Sequence, residues 1–138
     1  MATQDPDCLF CKIIAGEIPS RQVYADDAAI AFLDINPFHR GHTLVVPREH
    51  APDLLAGDAG LGEIAPAVDA TARLLRDRLQ PAGMNIFSSA GPVAGQEIFH
   101  THVHLIPRYA ERPGLRGLFD RDLAAGDDLD IVHAELTA

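Results

Sequence analysis

The spacing of apolar residues along the chain predicts one short and one long helix. The run C-L-F-C-K-I-I-A, residues 8–15, follows Asp7 as an N-cap and ends at Gly16. Between residues 60 and 80 the apolar side chains fall on one stripe at helical spacing, and Pro81 follows. This stripe consists of Leu61, Ile64, Ala65, Val68, Leu75 and Leu79. The second run is therefore the main amphipathic helix.

Five runs rich in apolar and β-branched residues predict strands. They cover residues 21–24, 28–33, 42–46, 84–88 and 98–106. Pro47 ends the third run and Pro107 the fifth, because proline cannot donate a ladder hydrogen bond. The tail contains at most one further short helix, near residues 129–136. This order of elements indicates an α+β fold with an antiparallel sheet, and the unpaired edges of such a sheet favour dimerisation.

Composition and charge narrow the class of protein. The 138 residues favour one domain spanning 1–138, and 47% hydrophobic with 22% charged residues is ordinary for a globular protein. We expect a cytoplasmic protein, because no apolar run is long enough to cross a bilayer and the N-terminus has no secretory signal. A net charge of −9 argues against nucleic acid and anionic membranes as partners, but allows one nucleotide in a locally positive pocket.

Three of the seven histidines occur at alternate positions in F-H-T-H-V-H-L-I, residues 99–106. On a strand, His100, His102 and His104 would share one face, with neighbours about 6–7 Å apart. The opposite face would point into a core and would carry Phe99, Thr101, Val103 and Leu105. A solvated polar face explains this row less well than chemistry does, because Ser, Thr or Lys would serve there equally.

Two chemical interpretations of the row are open. All three histidines could bind one zinc ion, although the third lies far along a straight strand. The sequence favours the alternative, in which one histidine binds metal and the others act on a phosphate. The metal ligands would then form a Cys₂His₂ set typical of closed structural zinc sites, namely Cys8, Cys11, His50 and His100. Two buried thiols without metal are the simpler alternative, and a redox C-x-x-C is disfavoured because no βαβ unit surrounds it.

The phosphate half of the row would consist of His102 and His104, with His42 approaching from the third strand. A neutral imidazole has a lone pair and a pKa near neutrality, so it can attack phosphorus directly. Its other nitrogen must donate its proton to a fixed acceptor, which sets the tautomer. Neighbouring histidines can stabilise the charge that develops on the phosphoryl oxygens.

These residues resemble the signature of the histidine triad (HIT) family, H-φ-H-φ-H-φ-φ, which stands here as H-T-H-V-H-L-I with Thr101 at a usually apolar position. The opening D-C-L-F-C-K-I-I-A-G-E-I-P resembles the bacterial, zinc-containing, Hint-like branch. Further matches are A-F-L-D-I-N-P, G-H-T-L-V-V-P-R-E-H and M-N-I-F-S-S-A-G-P-V-A-G-Q-E-I-F. The resemblance covers a core from about residue 7 to 108 and leaves a tail, 109–138, without a usable motif.

The resemblance implies a HIT-like fold with a five-stranded antiparallel sheet, usually paired as a homodimer. It implies that His102 is the nucleophile and forms a nucleotidyl–histidine intermediate, while His104 and His42 contact the phosphate. It also implies a structural zinc held by the Cys₂His₂ set named above. The implied activity is hydrolysis or transfer at the α-phosphate of a nucleoside monophosphate derivative.

The resemblance also implies how a purine nucleotide would bind. Asp34 would accept hydrogen bonds from the ribose hydroxyls, and Asn85 and Gln96 would hold the α-phosphate region. An apolar slot for the base would consist of Leu9, Phe10, Ile13, Ile18, Phe32 and Ile35.

Several features depart from the family pattern or have no role in it. Glu97 stands where the nucleoside phosphoramidate hydrolases tend to have Ser, and its carboxylate would repel phosphate. The chain has no Trp, and we expect His39 and His133 to be solvated. The alternative functions are a dinucleoside polyphosphate hydrolase, a nucleotide-binding sensor or scaffold with slow turnover, and a zinc hydrolase that uses the histidine row as ligands.

Overall fold

The computed structural model describes residues 4–57 and 60–138. Its elements, in chain order, are α1 (Leu9–Ile14), β1 (Gln22–Ala25), β2 (Ala29–Leu33), β3 (Thr43–Pro47), α2 (Gly60–Leu79), β4 (Gly83–Phe87), β5 (Val103–Arg108), α3 (Gly114–Leu118) and α4 (Leu129–Thr137). Short 3₁₀ turns lie at Pro92–Ala94 and Leu123–Gly126. Within the described ranges, none of the helices combines the length and hydrophobicity needed to span a membrane.

The five strands form one antiparallel sheet in the order β1-β2-β3-β5-β4. The predicted α+β class with a five-stranded antiparallel sheet is therefore confirmed. The tail adds α3, which the sequence did not predict, and α4, which lies where the short tail helix was expected. The helix α3 spans only five residues, two of them glycines, so periodicity alone does not detect it.

The two faces of the sheet have different partners. On β2, Ala29, Ala31 and Leu33 pack towards α2 and α4 in the larger apolar cluster. The alternate residues Ile30 and Phe32 join a second cluster, which includes Phe10 of α1 together with Leu44 and Val46 of β3. Successive side chains of a strand point to opposite faces, and both faces are covered here, so all five residues of this interior strand are buried.

The buried side of α2 differs from the predicted stripe. Leu61 is 50% exposed and Ala65 is also exposed, whereas Ile64, Leu75 and Leu79 are buried as expected. The row that faces the sheet has the positions Ile64, Ala67, Thr71, Leu75 and Leu79. Ala67 and Thr71 are small or polar, and a hydrophobicity pattern therefore gives them less weight than the larger Leu61.

Two predicted element ends also differ. The N-cap of α1 is Cys8 rather than Asp7, and the Cys8 Sγ accepts from the Cys11 N–H at 3.3 Å. The fifth strand begins at Val103, not at residue 98, so Phe99 is 48% exposed instead of facing the core. It also continues through Pro107, because the β3–β5 ladder ends before that point and needs no N–H there.

Neither of the two histidines expected at the surface is freely solvated. His39 is 3% exposed, and its Nε2–H donates to the Gly117 carbonyl at 3.1 Å. His133 is half-buried, with its Nε2 2.8 Å from the Gln22 carbonyl. Both connect the tail to earlier parts of the chain, a partnership that the local sequence cannot reveal.

Candidate active site and metal centre

A cavity of about 460 Å³ lies on the sheet face opposite α2. Its floor comes from β3, β4 and β5, which contribute Leu44, Phe87 and His104, and His102 lies just before β5. The loop before β3 and the loop after β4 form its walls. The wall residues are Asp34, Asn36, Phe38, His42, Ser89, Ala94, Gly95, Glu97 and Ile98, with Phe10, Phe119 and Arg121 at the edges. The size suits a nucleotide-sized ligand.

The hydrogen bond that His102 makes fixes its tautomer. Its Nδ1 lies 2.7 Å from the carbonyl oxygen of His100, an atom that can only accept, so Nδ1 carries the proton. The lone pair of a neutral ring is then on Nε2. The ring is 8% exposed and packs edge-on against Phe10, with centroids 5.2 Å apart. A buried imidazole with a fixed tautomer and a free lone pair has the properties of a nucleophile.

His42 and His104 form a directed hydrogen-bond chain. The backbone N–H of Phe38 donates to Nδ1 of His42 at 3.0 Å, so His42 carries its proton on Nε2. That Nε2 lies 2.9 Å from Nδ1 of His104, which must accept. The Nε2–H of His104 is then the remaining donor of the pair. His104 also stacks on Phe87, with centroids 4.7 Å apart, so its plane is fixed.

Burial keeps both of these rings neutral. Desolvation lowers the pKa of His42 to about 3, and the charges of His104 and Arg121 act in the same direction. Desolvation likewise lowers the pKa of His104 to about 4. The carboxyl pKa of Asp34 is raised by burial, and the hydrogen bond from Asn36 N and the charge of Arg121 oppose this shift in part. The His42–His104 pair thus offers one neutral donor, the Nε2–H of His104, to an anionic ligand.

Some of the predicted nucleotide-binding residues line the cavity and others lie outside its lining. Asp34 and Phe10 line the cavity, whereas Ile35 is 70% exposed outside it. Asn85 points its Oδ1 at Arg108, 2.7 Å from Nη1, and does not line the cavity. The other apolar residues of the expected slot lie outside the lining, Phe32 and Ile13 in the second apolar cluster and Leu9 and Ile18 nearer the surface.

Gln96 supports the cavity wall from behind. Its side chain is 5% exposed, and its Nε2 donates to the carbonyls of Pro52 and Ile98. Its Oε1 accepts from the Gly91 N–H at 2.8 Å. Both N–H donors of the amide are therefore used within the protein, and neither is left for a phosphate oxygen.

Sequence reasoning missed nine side chains of the cavity, namely Asn36, Phe38, Leu44, Phe87, Ser89, Ala94, Ile98, Phe119 and Arg121. Strand alternation could have found Phe87, because it stands opposite His104 in the β4–β5 register. Nothing in the local sequence marks Phe119 or Arg121, which reach the cavity through the path of the tail.

A second cluster lies beside the cavity and contains the four predicted metal ligands. The donor atoms of Cys8, Cys11, His50 and His100 all lie within 4.8 Å of one another. Sγ of Cys11 is 3.4 Å from Nδ1 of His50 and 3.5 Å from Nδ1 of His100, and the two Nδ1 atoms are 3.1 Å apart. The histidine row is thus divided: His100 joins the cysteines, and the two later histidines face the cavity.

These donors fit a tetrahedral zinc ion. Zn–S bonds near 2.3 Å and Zn–N bonds near 2.0 Å place neighbouring ligand atoms roughly 3.3–3.7 Å apart, close to the spacings observed. Nε2 of His100 is 2.8 Å from the Pro47 carbonyl, so Nδ1 bears the lone pair that faces the thiols. Burial raises the pKa of the Cys11 thiol, and a thiolate there needs a nearby cation.

The fold and the paired histidine clusters define a class of small α+β proteins with a histidine-lined cavity, and comparison with known proteins identifies the family. The model of the HIT domain matches residues 15–111. The chain is 45% identical over 109 residues to "Protein hit" of Bacillus subtilis, covering 78% of this chain and 75% of that one. It is 36% identical over 138 residues to adenosine 5'-monophosphoramidase HNT1 of Saccharomyces cerevisiae, covering 99% and 85%.

Among solved structures, a zinc-bound histidine triad family protein from Mycobacterium smegmatis matches with a TM-score of 0.76 and 36% identity. The match covers 94% of this chain and 93% of that one. The chain therefore belongs to the HIT family, and the family membership predicted from the sequence is confirmed.

Proposed function

We propose that this protein is an enzyme that hydrolyses or transfers nucleotides at the α-phosphate, through a nucleotidyl intermediate on His102. The observation that carries the proposal is the 2.7 Å hydrogen bond from His102 Nδ1–H to the His100 carbonyl, which leaves Nε2 as a nucleophile in the cavity. The similarity to an adenosine 5'-monophosphoramidase supports the same chemistry and favours a purine substrate.

In the first step, Nε2 of His102 attacks phosphorus and the bond from phosphorus to the leaving nitrogen or oxygen breaks. The leaving group takes up a proton from solvent as it departs, and the nucleotidyl group remains on His102. In the second step, water attacks the same phosphorus and gives a proton back to solvent, the P–N bond to His102 breaks, and a nucleoside monophosphate is released. The Nε2–H of His104 donates to a phosphoryl oxygen in both steps, and the neutral His42 holds His104 in the required tautomer.

Nucleotide binding would use the cavity walls. Asp34 accepts hydrogen bonds from the ribose hydroxyls, and its Oδ1 is already oriented by the Asn36 N–H at 2.8 Å. Phe10 and Ile98 supply apolar surface at the cavity edge for the base. Gln96 acts as a positioning residue that holds the wall.

Zinc in the Cys₂His₂ cluster would have a structural role. All four protein ligands close the tetrahedron, so the ion would tie α1 to the segment before β5 without an open coordination position for chemistry. The zinc-bound relative supports zinc as the metal that this cluster would hold.

We also propose a homodimer through the outer edge of β4. Ile86 on this edge strand and Leu61 on α2 are each 50% exposed and adjoin an apolar groove that contains Val68 and Ala72. A second copy would cover both the groove and the unpaired strand edge.

The test is the release of AMP from adenosine phosphoramidate, separated by chromatography. We expect His102→Ala to lower the rate at least about a thousandfold while the protein stays folded. The matched control is His133→Ala, which removes a histidine that lies outside the cavity lining. Full turnover by folded His102→Ala would disprove the nucleophile assignment, and no release by the parent protein would count against the phosphoramidate substrate.

A further inference from the structure

The tail contributes to the cavity although it lies beyond the segment that the family model matches. That match ends at residue 111, yet Phe119 and Arg121 line the cavity. These two residues are therefore candidates for a property that the shared motif does not encode.

Backbone contacts fix the part of the tail that carries them. The N–H of Asp122, directly after Arg121, donates to the Phe38 carbonyl at 2.9 Å. The Nε2–H of the buried His39 donates to the carbonyls of Gly117 and Leu118. The tail is thus hydrogen-bonded to the same loop that supplies the cavity wall.

The buried Arg108 holds the beginning of the tail. Its side chain donates from Nη2 to the carbonyls of Arg112 and Gly114, and from Nη1 to Oδ1 of Asn85. Within the described ranges, no carboxylate lies within ion-pair distance of this guanidinium, although the residue is only 9% exposed. Gly117 packs against it so closely that a Cβ would collide with the Arg112 carbonyl. The buried guanidinium of Arg108 therefore stabilises the conformation at the beginning of the tail.

Arg121 has the opposite setting. Its guanidinium carbon lies 4.4 Å from the centroid of the Phe38 ring, and Phe38 in turn stacks on His42 with centroids 5.8 Å apart. Phe119 packs edge-on against the same Phe38 ring. Within the part of the chain that the structure describes, Arg121 is the one Lys or Arg in the cavity lining, and no carboxylate forms an ion pair with it. Phe38, which Phe119 supports from its edge, thus holds an exposed cation at the rim of the cavity.

We infer that Arg121, held over the ring of Phe38, is a specificity-determining residue that binds a second anionic group of the nucleotide, namely a phosphate beyond the α-phosphate. The inference rests on the proposed function. The α-phosphate must reach His102 and His104, whereas the guanidinium lies over Phe38 and is left for a group further along the substrate. A planar guanidinium matches two phosphate oxygens, and it offsets the carboxylates of Asp34 and Glu97 in the same lining.

The experiment measures the affinities of AMP and ATP without added Mg²⁺, in the His102→Ala background so that neither is turned over. We expect ATP to bind more tightly than AMP, and Arg121→Gln to reduce the ratio of the two affinities about tenfold, equivalent to about 1.4 kcal/mol. The same ratio should fall as salt concentration rises, since the guanidinium is exposed. Arg116→Gln, an exposed arginine of α3 outside the lining, is the matched control.

The outcomes separate the two proposals. A ratio that is unchanged in Arg121→Gln, or that falls equally in Arg116→Gln, overturns the role of Arg121 while AMP binding still supports the proposed function. If neither nucleotide binds the parent background, the proposed function fails, and this subsite fails with it.

Discussion

The metal cluster and the cavity cluster both take histidines from residues 100–104, but they differ in whether a lone pair is left unbonded. In the metal cluster, Cys8, Cys11, His50 and His100 direct their donor atoms at each other and enclose one point. In the cavity cluster, the Phe38 N–H fixes the tautomer of His42, and His42 in turn fixes that of His104. His102 keeps an unbonded lone pair on Nε2. A cluster whose four donors all face one metal ion suits stability, whereas a cluster that keeps one lone pair unbonded, on Nε2 of His102, suits catalysis.

The clusters separate because the segment is bent. Residues 98–102 are irregular and β5 begins at Val103, so His100 turns away from the face that His104 occupies. The same bend lets the backbone serve both clusters, since the His100 side chain reaches the cysteines while its carbonyl accepts from His102. Loss of metal should therefore reduce stability strongly and catalysis weakly.

Removal of one thiol should give the largest effect on stability. We expect Cys8→Ser and Cys11→Ser each to lose bound zinc and several kcal/mol of unfolding free energy, roughly 10 °C in Tm for a chain of this size. The folded fraction should keep AMP release within about tenfold of the parent, because His102 is displaced only through the His100 carbonyl. Thermal unfolding, metal content and initial rates measure the three quantities.

The double variant sharpens this prediction. If both thiols bind one ion, Cys8→Ser combined with Cys11→Ser should cost little more than either change alone. Strictly additive losses, or zinc retained by a single variant, would argue that the cysteines are merely buried thiols.

Gln96 tests the connection between the clusters, and its effect should be smaller. Gln96→Ala removes three hydrogen bonds and leaves the Pro52 and Ile98 carbonyls without this donor. We expect a loss of about 1–3 kcal/mol and a fall in AMP release of about tenfold, because the loop carries cavity residues such as Gly95 and Glu97. Differential scanning calorimetry and rate measurements check this, with the exposed Gln22→Ala as control. Loss of stability alone would limit Gln96 to a structural role.

The sequence predicted the parts of this molecule that depend on local pattern. Alternation predicted five strands, and the C-x-x-C with distant histidines predicted a set of residues that the structure brings together. The resemblance supplied Asp34, which lines the cavity. It also supplied Asn85, which instead accepts a hydrogen bond from Arg108 and does not line the cavity. Ser89, four residues further along, does line it. Along this segment the strand gives way to a loop after Phe87, and the register of a loop cannot be read from periodicity.

The tail was less predictable for a different reason. The positions of Phe119 and Arg121 depend on hydrogen bonds with residues such as His39, which lies 78 positions before Gly117 in the chain. These bonds involve carbonyl groups, which every residue possesses, so no sequence pattern identifies them. The same reason explains why His39 was expected at the surface and is buried.

The smallest effect should come from protonation of the cavity cluster, and it distinguishes this cluster from the metal site. Burial lowers the pKa of His42 to about 3, from an ordinary value of 6.5 that the unfolded chain regains. Between these values only the unfolded state takes up the proton, so the contribution of neutral His42 to the free energy of unfolding is complete above pH 6.5 and is lost as pH falls, by up to about 1.4 kcal/mol per pH unit.

In His42→Asn the amide oxygen still accepts from the Phe38 N–H but does not titrate. We therefore expect the Tm difference between parent and His42→Asn to shrink by a few degrees from pH 7 to pH 5.5. His133→Asn controls for loss of an imidazole outside the cavity lining. Acid loss of zinc would lower the Tm of the parent and the Tm of His42→Asn alike. A Tm difference that stays constant or widens would therefore mean that His42 is not held neutral by the fold.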